Sequence, residues 1–299
     1  MAACFMSGQS SHITVSPKKA RGFYKRLKSS TLIVPLSDKP THEDSALVQA
    51  VTLYWKASAY KFISETELVQ IIKSKSKPAN YVYLVEETYQ RFKHKRMDWA
   101  QTKCYISSEP DGAEMASTPF LEFKLPVKTR NNEVSYPDYS YLYPLIVKHF
   151  NRETELMSDE ENYKKIKRRT LIKADFKREL KEYSSKMMFT TENDFENYAM
   201  NLPDDMKKAS LYSSFTRYIS KKTGMDTSHI RIVDEEKILN AVVRNDPNAL
   251  VYTGFTVYNA QDAKLLRRID VSSRKRKQHA VMTTGISGIL LAAAILIFF

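Results

Sequence analysis

The sequence predicts an α+β fold that is mainly helical, with a small β-hairpin or sheet element around residues 99–125 and a single C-terminal transmembrane helix. Three observations predict it. Apolar residues recur at helical spacing behind capping pairs at Thr41/Asp44 and Ser64/Glu67. Two runs of β-formers flank the turn Glu109-Pro110-Asp111-Gly112. The last twenty residues, AVMTTGISGILLAAAILIFF, carry no charge.

The composition is that of a folded chain: 299 residues, 42% hydrophobic and 27% charged, with 47 Lys plus Arg against 34 Asp plus Glu for a net charge of +13. Only 7 glycines are present, and neither GxGxxG nor GxxxxGK occurs, which argues against a phosphate-cradling loop. The two cysteines, Cys4 and Cys104, exclude a disulfide framework and a multi-cysteine zinc site. His12, His42, His94, His149, His229 and His279 stand singly, outside any HExxH or CxxC spacing, and no GxSxG occurs. No cofactor or metal is expected, and the reading leans away from an enzyme.

Residues 1–40 read as a flexible basic arm, because Lys18, Lys19, Arg21, Lys25, Arg26 and Lys28 fall within eleven positions. A mainly helical domain over 41–270, with a possible sub-boundary near 150–158, follows. Thr41 opens a helical region whose apolar positions run through Leu47, Val51, Tyr54 and Ser58 to Phe62. Ser64 opens a short helix over 65–75. Leu84, Val85, Thr88, Tyr89 and Phe92 suggest a third helix from Tyr81, ending in Arg91, Lys93, His94, Lys95 and Arg96. Lys103–Ser107 and Phe120–Leu125 read as neighbouring strands. The tyrosines between Tyr136 and Tyr143 suit packing across a loop. Ser158 opens a long charged helix to about 184 bearing Lys164, Lys165, Lys167, Arg168 and Arg169, with a basic face opposite an apolar seam. Helices over 203–222, 234–244 and 260–269 complete the domain, and no internal repeat is evident.

Residues 271–279 form a basic linker in which Arg274, Lys275, Arg276 and Lys277 stand beside the apolar tail, the pattern of a cytosolic flank. Residues 280–299 at about 1.5 Å per residue reach the roughly 30 Å of a bilayer core, the plan of a tail anchor. Thr284, Gly288 and Ala292 lie on one ridge suited to helix pairing and hence to a homo-oligomer. The expectation is therefore a single-pass membrane protein, its basic domain facing the cytosol. As a non-enzymatic binding or structural module it would meet acidic lipid headgroups, nucleic acid or an acidic protein surface. A viral envelope-associated protein fits that plan. The alternative is a membrane-tethered nucleic-acid-binding protein.

The alternative draws on one resemblance. Tyr218-Ile219-Ser220-Lys221-Lys222-Thr223-Gly224, Ser228-His229-Ile230-Arg231 and Gly254-Phe255-Thr256, followed by a closing helix, resemble the C-terminal part of a tyrosine recombinase catalytic domain over residues 213–269. That family has an H-x-x-R motif and a nucleophilic tyrosine in its last helix. Here His229 stands two residues before Arg231, and no tyrosine lies between Gln261 and Ile269. The resemblance carries over Arg231 alone and implies a catalytically inactive, DNA-binding domain.

Overall fold

The computed structural model describes residues 17–74, 80–93, 96–108, 121–130, 133–158, 183–199 and 208–268. Helix α1, Pro17–Ser29, buries Phe23, Tyr24 and Leu27 and leaves Lys25, Arg26 and Lys28 in water, so one apolar stripe holds it to the body. Strand β1, Thr31–Leu36, leads to helix α2, His42–Tyr54. The expected capping box is present: the Thr41 hydroxyl accepts from the Asp44 N–H, and the Asp44 carboxylate accepts from the Thr41 N–H. Strand β2, Ala59–Ser64, ends on Ser64, which caps helix α3, Glu65–Lys73.

Strand β3, Tyr81–Lys93, strand β4, Arg96–Ser107, and strand β5, Glu122–Leu125, complete a sheet of order β2-β1-β3-β4-β5. Its first three members are parallel and the last two antiparallel. A small pair follows, β6, Lys128–Arg130, with β7, Glu133–Ser135. Helix α4, Tyr143–Ser158, then precedes the second half. That half contains β8, Met187–Thr190, α5, Glu192–Ala199, and α6, Lys208–Thr223, the last ended by Gly224 at a φ of 77°. Next come β9, Ile230–Ile232, α7, Glu235–Val243, β10, Ala249–Thr253, β11, Thr256–Asn259, and β12, Leu265–Arg268. The second sheet has the order β9-β8-β10-β11-β12.

The two halves are the same unit built twice. The first runs strand, helix, strand, helix and then three strands, and the second does the same except that two helices, α5 and α6, stand between its first two strands; sheet order and strand directions are identical. The correspondence reaches single residues. Thr31 pairs with Tyr81 as Met187 pairs with Ala249, and the Thr31 and Met187 N–H groups donate to the carbonyls of Asn80 at 2.8 Å and Asn248 at 2.9 Å. Ser64 and Asp234 occupy equivalent positions, and each caps a helix of 9 residues. The likeness, which the sequence does not reveal, lies in caps and register and not in residue identities.

The helices α2 and α3 lie on opposite faces of the first sheet. Leu32 and Val34 pack in one core with Leu47 and Val51 of α2, whereas Ile33 packs with Leu68 and Ile71 of α3. Helix α4 lies in the larger core, which reaches α1, α2, α7 and both sheets. There Phe123 of β5 stacks on Tyr258 of β11 at 4.6 Å, and the fully buried His149 donates from Nδ1 to the Ala263 carbonyl at 3.1 Å. A third core joins α5 and α6 to the outer face of the second sheet.

This architecture corrects the mainly helical expectation: the described residues form two mixed sheets of 5 strands each and seven α-helices. Residues 59–64, 81–93 and 265–268, read as helical, are strands. Short apolar runs fit either periodicity, and the Tyr, Val and Thr content of 81–89 favours a strand once β1 and β4 supply partners on both sides.

The tail-anchored, single-pass membrane placement is corrected as well. Among the described residues no helix is long and apolar enough to cross a membrane. The longest, α4 and α6, have 16 residues each, about 24 Å against the roughly 30 Å needed, and both are charged. Residues 280–299 with Thr284, Gly288 and Ala292, the flank Arg274–Lys277 and residues 159–182 of the helix expected from Ser158 to about 184 lie outside the described residues.

Candidate functional site

The two repeats differ at one hairpin as well as in the extra helix between the first two strands of the second. In the second repeat Thr253 and Thr256 flank a two-residue turn, Gly254 and Phe255, both with positive φ (51° and 63°), as a tight hairpin requires. Val85 and Tyr105 are the equivalent pair in the first repeat, and residues 86–104 stand between them. The strand β1 pairs with β3 only over Tyr81–Tyr83, and β5 pairs with β4 only over Thr102–Tyr105. Beyond Thr88 and Thr102, whose hydroxyls are 2.8 Å apart, β3 and β4 continue as a two-stranded ribbon with no third strand among the described residues. From Thr88 to Lys93 it runs about 17 Å at about 3.4 Å per residue.

Charge is concentrated at the outer end of this ribbon. Arg91 pairs with Trp99, and Lys93 pairs with Arg96 at the last described step. A register shift between Arg91 and Phe92 marks a β-bulge, which increases local twist. The second repeat closes its sheet without any such ribbon, so the unit does not need it to fold. A charged, open-edged insertion that folding does not require is a candidate for recognition.

A second feature lies at the base of the ribbon. The strand order reverses at β1, and the carboxyl ends of β1 and β3 part at the point where open α/β sheets place their ligand crevices. A crevice of about 530 Å³ occupies this point, lined by Thr41, His42 and Glu43 of the α2 start, Glu86 of β3 and residues 136–139. The Tyr139 N–H donates to Glu43 Oε1 at 2.7 Å, and its hydroxyl donates to the Pro126 carbonyl at 2.7 Å. Burial raises the Glu43 carboxyl above its ordinary range despite the Tyr139 bond. Burial between the crevice walls, and then the charge of Glu43, raise Glu86 to about 7, although part of its side chain stays open to solvent. Glu43, Glu86 and Asp138 make the wall of the crevice acidic. Among the described residues no group of three or more His, Cys, Asp and Glu side chains is placed to hold a metal ion.

In the second repeat the corresponding point is closed by Asp194. Its Oδ1 accepts from the Gly254 N–H at 2.8 Å, and its Oδ2 from the Thr191 hydroxyl at 3.4 Å. Asp194 is 2% exposed, and burial pushes its carboxyl up to about 7 against these hydrogen bonds. The folded chain therefore holds a proton that the unfolded chain releases near pH 4, and stability falls as pH rises from about 4 to about 7. Asp194→Asn is expected to flatten this slope, by a few °C of Tm across that window on an order-of-magnitude scale. Thermal melts of both chains from pH 4 to pH 8 check it, and parallel slopes would refute it.

Of the residues expected to bind an acidic partner, the structure brings Lys93 and Arg96 together as a cross-strand pair. Lys18, Lys19 and Arg21 lie on the first turns of α1, and Lys25, Arg26 and Lys28 are exposed further along it, with Arg26 5.6 Å from the Phe23 ring. Lys95, Lys164, Lys165, Lys167, Arg168 and Arg169 lie outside the described residues. The tyrosine stretch buries Tyr139, Tyr141 and Tyr143, as packing across a loop requires, and only Tyr136 is largely exposed. Arg231, the residue carried over from the recombinase resemblance, is an exposed member of β9, and the helix expected to close that segment is a turn followed by β12. Sequence reasoning missed the ribbon. Its signal was the run of β-formers Tyr81, Val82, Tyr83, Val85, Thr88 and Tyr89. Comparison with protein-family models, curated proteins and solved structures yields no match for this chain and neither supports nor refutes the recombinase resemblance.

Proposed function

We propose that this chain is a non-enzymatic nucleic-acid-binding protein whose β3/β4 ribbon makes the contact. One observation supports the reading: a two-stranded ribbon, absent from the sister repeat, has Arg91, Lys93 and Arg96 among the strand positions of its outer end. A polyanion complements that charge, and the net charge of +13 adds long-range attraction for it. The exposed Lys25, Arg26 and Lys28 of α1 supply further positive surface.

The test is a titration of fluorescently labelled oligonucleotides with the full chain at several salt concentrations. Binding is expected to weaken linearly in log–log form, by about 0.9 per phosphate contact for duplex and about 0.7 for single strands. Phosphatidylserine vesicles and a polyglutamate peptide serve as competing acidic partners. Binding to either of these in preference to every oligonucleotide would overturn the proposal.

A further inference from the structure

We infer that the crevice at the base of the ribbon binds a short alkyl chain bearing two or three ammonium groups, at a site separate from the ribbon's outer end. Strand β3 builds its inner wall. Val82 and Leu84 face the central core, and Glu86, two residues on and paired with Cys104 of that core, continues the same face into the crevice. Helix α2 brings Glu43 to the same space, and the segment 136–139 brings Asp138. Asp138 reaches the Glu43 carboxyl by a side-chain hydrogen bond, and Glu86 lies within range of the Glu43 charge. The chain has 47 Lys plus Arg, yet among the described residues no Lys or Arg lines the crevice and none of the three carboxyls makes an ion pair.

An independent observation points to the ligand. Tyr143, at the start of α4, is only 7% exposed, and its hydroxyl has no hydrogen-bond partner among the described residues. That hydroxyl lies within electrostatic range of Glu86, Glu43 and Asp138 together, so it faces the acidic wall. A buried hydroxyl without a partner costs free energy that an N–H donor recovers. The sister repeat shows the satisfied arrangement. There Gly254 stands where Glu86 does here, and its N–H donates to Asp194, the carboxyl that closes the point. Here the Glu86 carboxyl has no donor among the described residues. The carboxyls do not meet as a metal-ligand group among those residues, so separated charges suit them better than one ion. A crevice of about 530 Å³ has the size of a small-molecule site, and Tyr136 in its wall offers a ring to an ammonium group or its methylenes.

The experiment titrates the nuclease-treated full chain with spermidine by calorimetry at low salt, beside butylamine, Mg²⁺ and a tetralysine peptide. Spermidine is expected to bind at least about tenfold more tightly than butylamine or Mg²⁺, since it alone of the three spreads several charges along a chain. Glu86→Gln should weaken spermidine binding at least about tenfold, and Tyr143→Phe, which removes one hydroxyl, about fivefold. In thermal melts spermidine should raise the Tm of wild type and leave that of Glu86→Gln in place. If Glu86→Gln does not fold, Tyr143→Phe decides. No spermidine binding, Mg²⁺ binding as tight as spermidine, or a folded variant of either kind with wild-type affinity overturns the inference. Preference for tetralysine over spermidine overturns it in favour of a basic peptide. None of these outcomes bears on the ribbon, which the oligonucleotide titration tests by itself.

Discussion

Gly254→Ala is expected to destabilise the chain by about 3 kcal/mol or more, a loss beyond the usual range for a single methyl group. Two costs combine. Gly254 has a φ of 51°, a conformation that an L side chain adopts only with strain. In addition, a Cβ at this position would overlap the carbonyl carbon and oxygen of Lys124, which is backbone of β5 in the other repeat and cannot rotate away. The turn would have to leave β5, and its N–H would leave Asp194 Oδ1, to which it now donates at 2.8 Å. Gly22→Ala provides the contrast. That glycine lies exposed in α1 with no atom within 4 Å of an added Cβ, so the change is expected to stabilise the helix by about 0.5–1 kcal/mol. Urea denaturation of the three chains checks both, and a Gly254→Ala chain as stable as wild type would refute the packing described for the junction of the repeats.

The sequence discloses what depends on neighbours along the chain. Thr41 with Asp44, Ser64 with Glu67, Asp234 before α7 and Gly224 after α6 mark helix ends because a cap is a contact over a few residues. The strands at Lys103–Ser107 and in 122–125 were legible from β-formers around a turn. The β2, β3 and β12 strands were not, because their apolar positions satisfy a helical period as well as an alternating one, and the decision lies with partners distant in sequence. The repeated topology was hidden for a related reason. A sheet register asks for apolar residues at alternate positions and a capping side chain at the right end, and both repeats meet those demands with different residues, such as Ser64 and Asp234. Of the candidate site, the basic segment 91–96 was recognised, but as the end of a helix. Its meaning as a projecting ribbon emerges only when the sister hairpin shows how short the turn needs to be.

Replacing Arg91, Lys93 and Arg96 together by glutamate is expected to have the largest effect on binding. The change removes three cations and adds three anions at the end of the ribbon, so each lost phosphate contact is joined by repulsion of the strand it held. The slope of log affinity against log salt should fall in magnitude by about 2 for three single-strand contacts, and affinity near 0.1 M salt should drop at least about a hundredfold. Stability should change little, because the positions lie beyond Thr88 and Thr102, where the strands pair only with each other. A companion chain in which an Asn-Gly turn joins Thr88 directly to Thr102 mimics the short hairpin of the sister repeat. It should melt cooperatively and lose the same affinity. If the shortened chain folds and binds as wild type does, the contact lies elsewhere, and the exposed cations of α1 become its most direct source. If the glutamate variant loses binding with an unchanged salt slope, its effect is a distortion of the ribbon and not the removal of phosphate contacts. The salt dependence, more than the affinity itself, is therefore the quantity that distinguishes an electrostatic arm from a merely structural one.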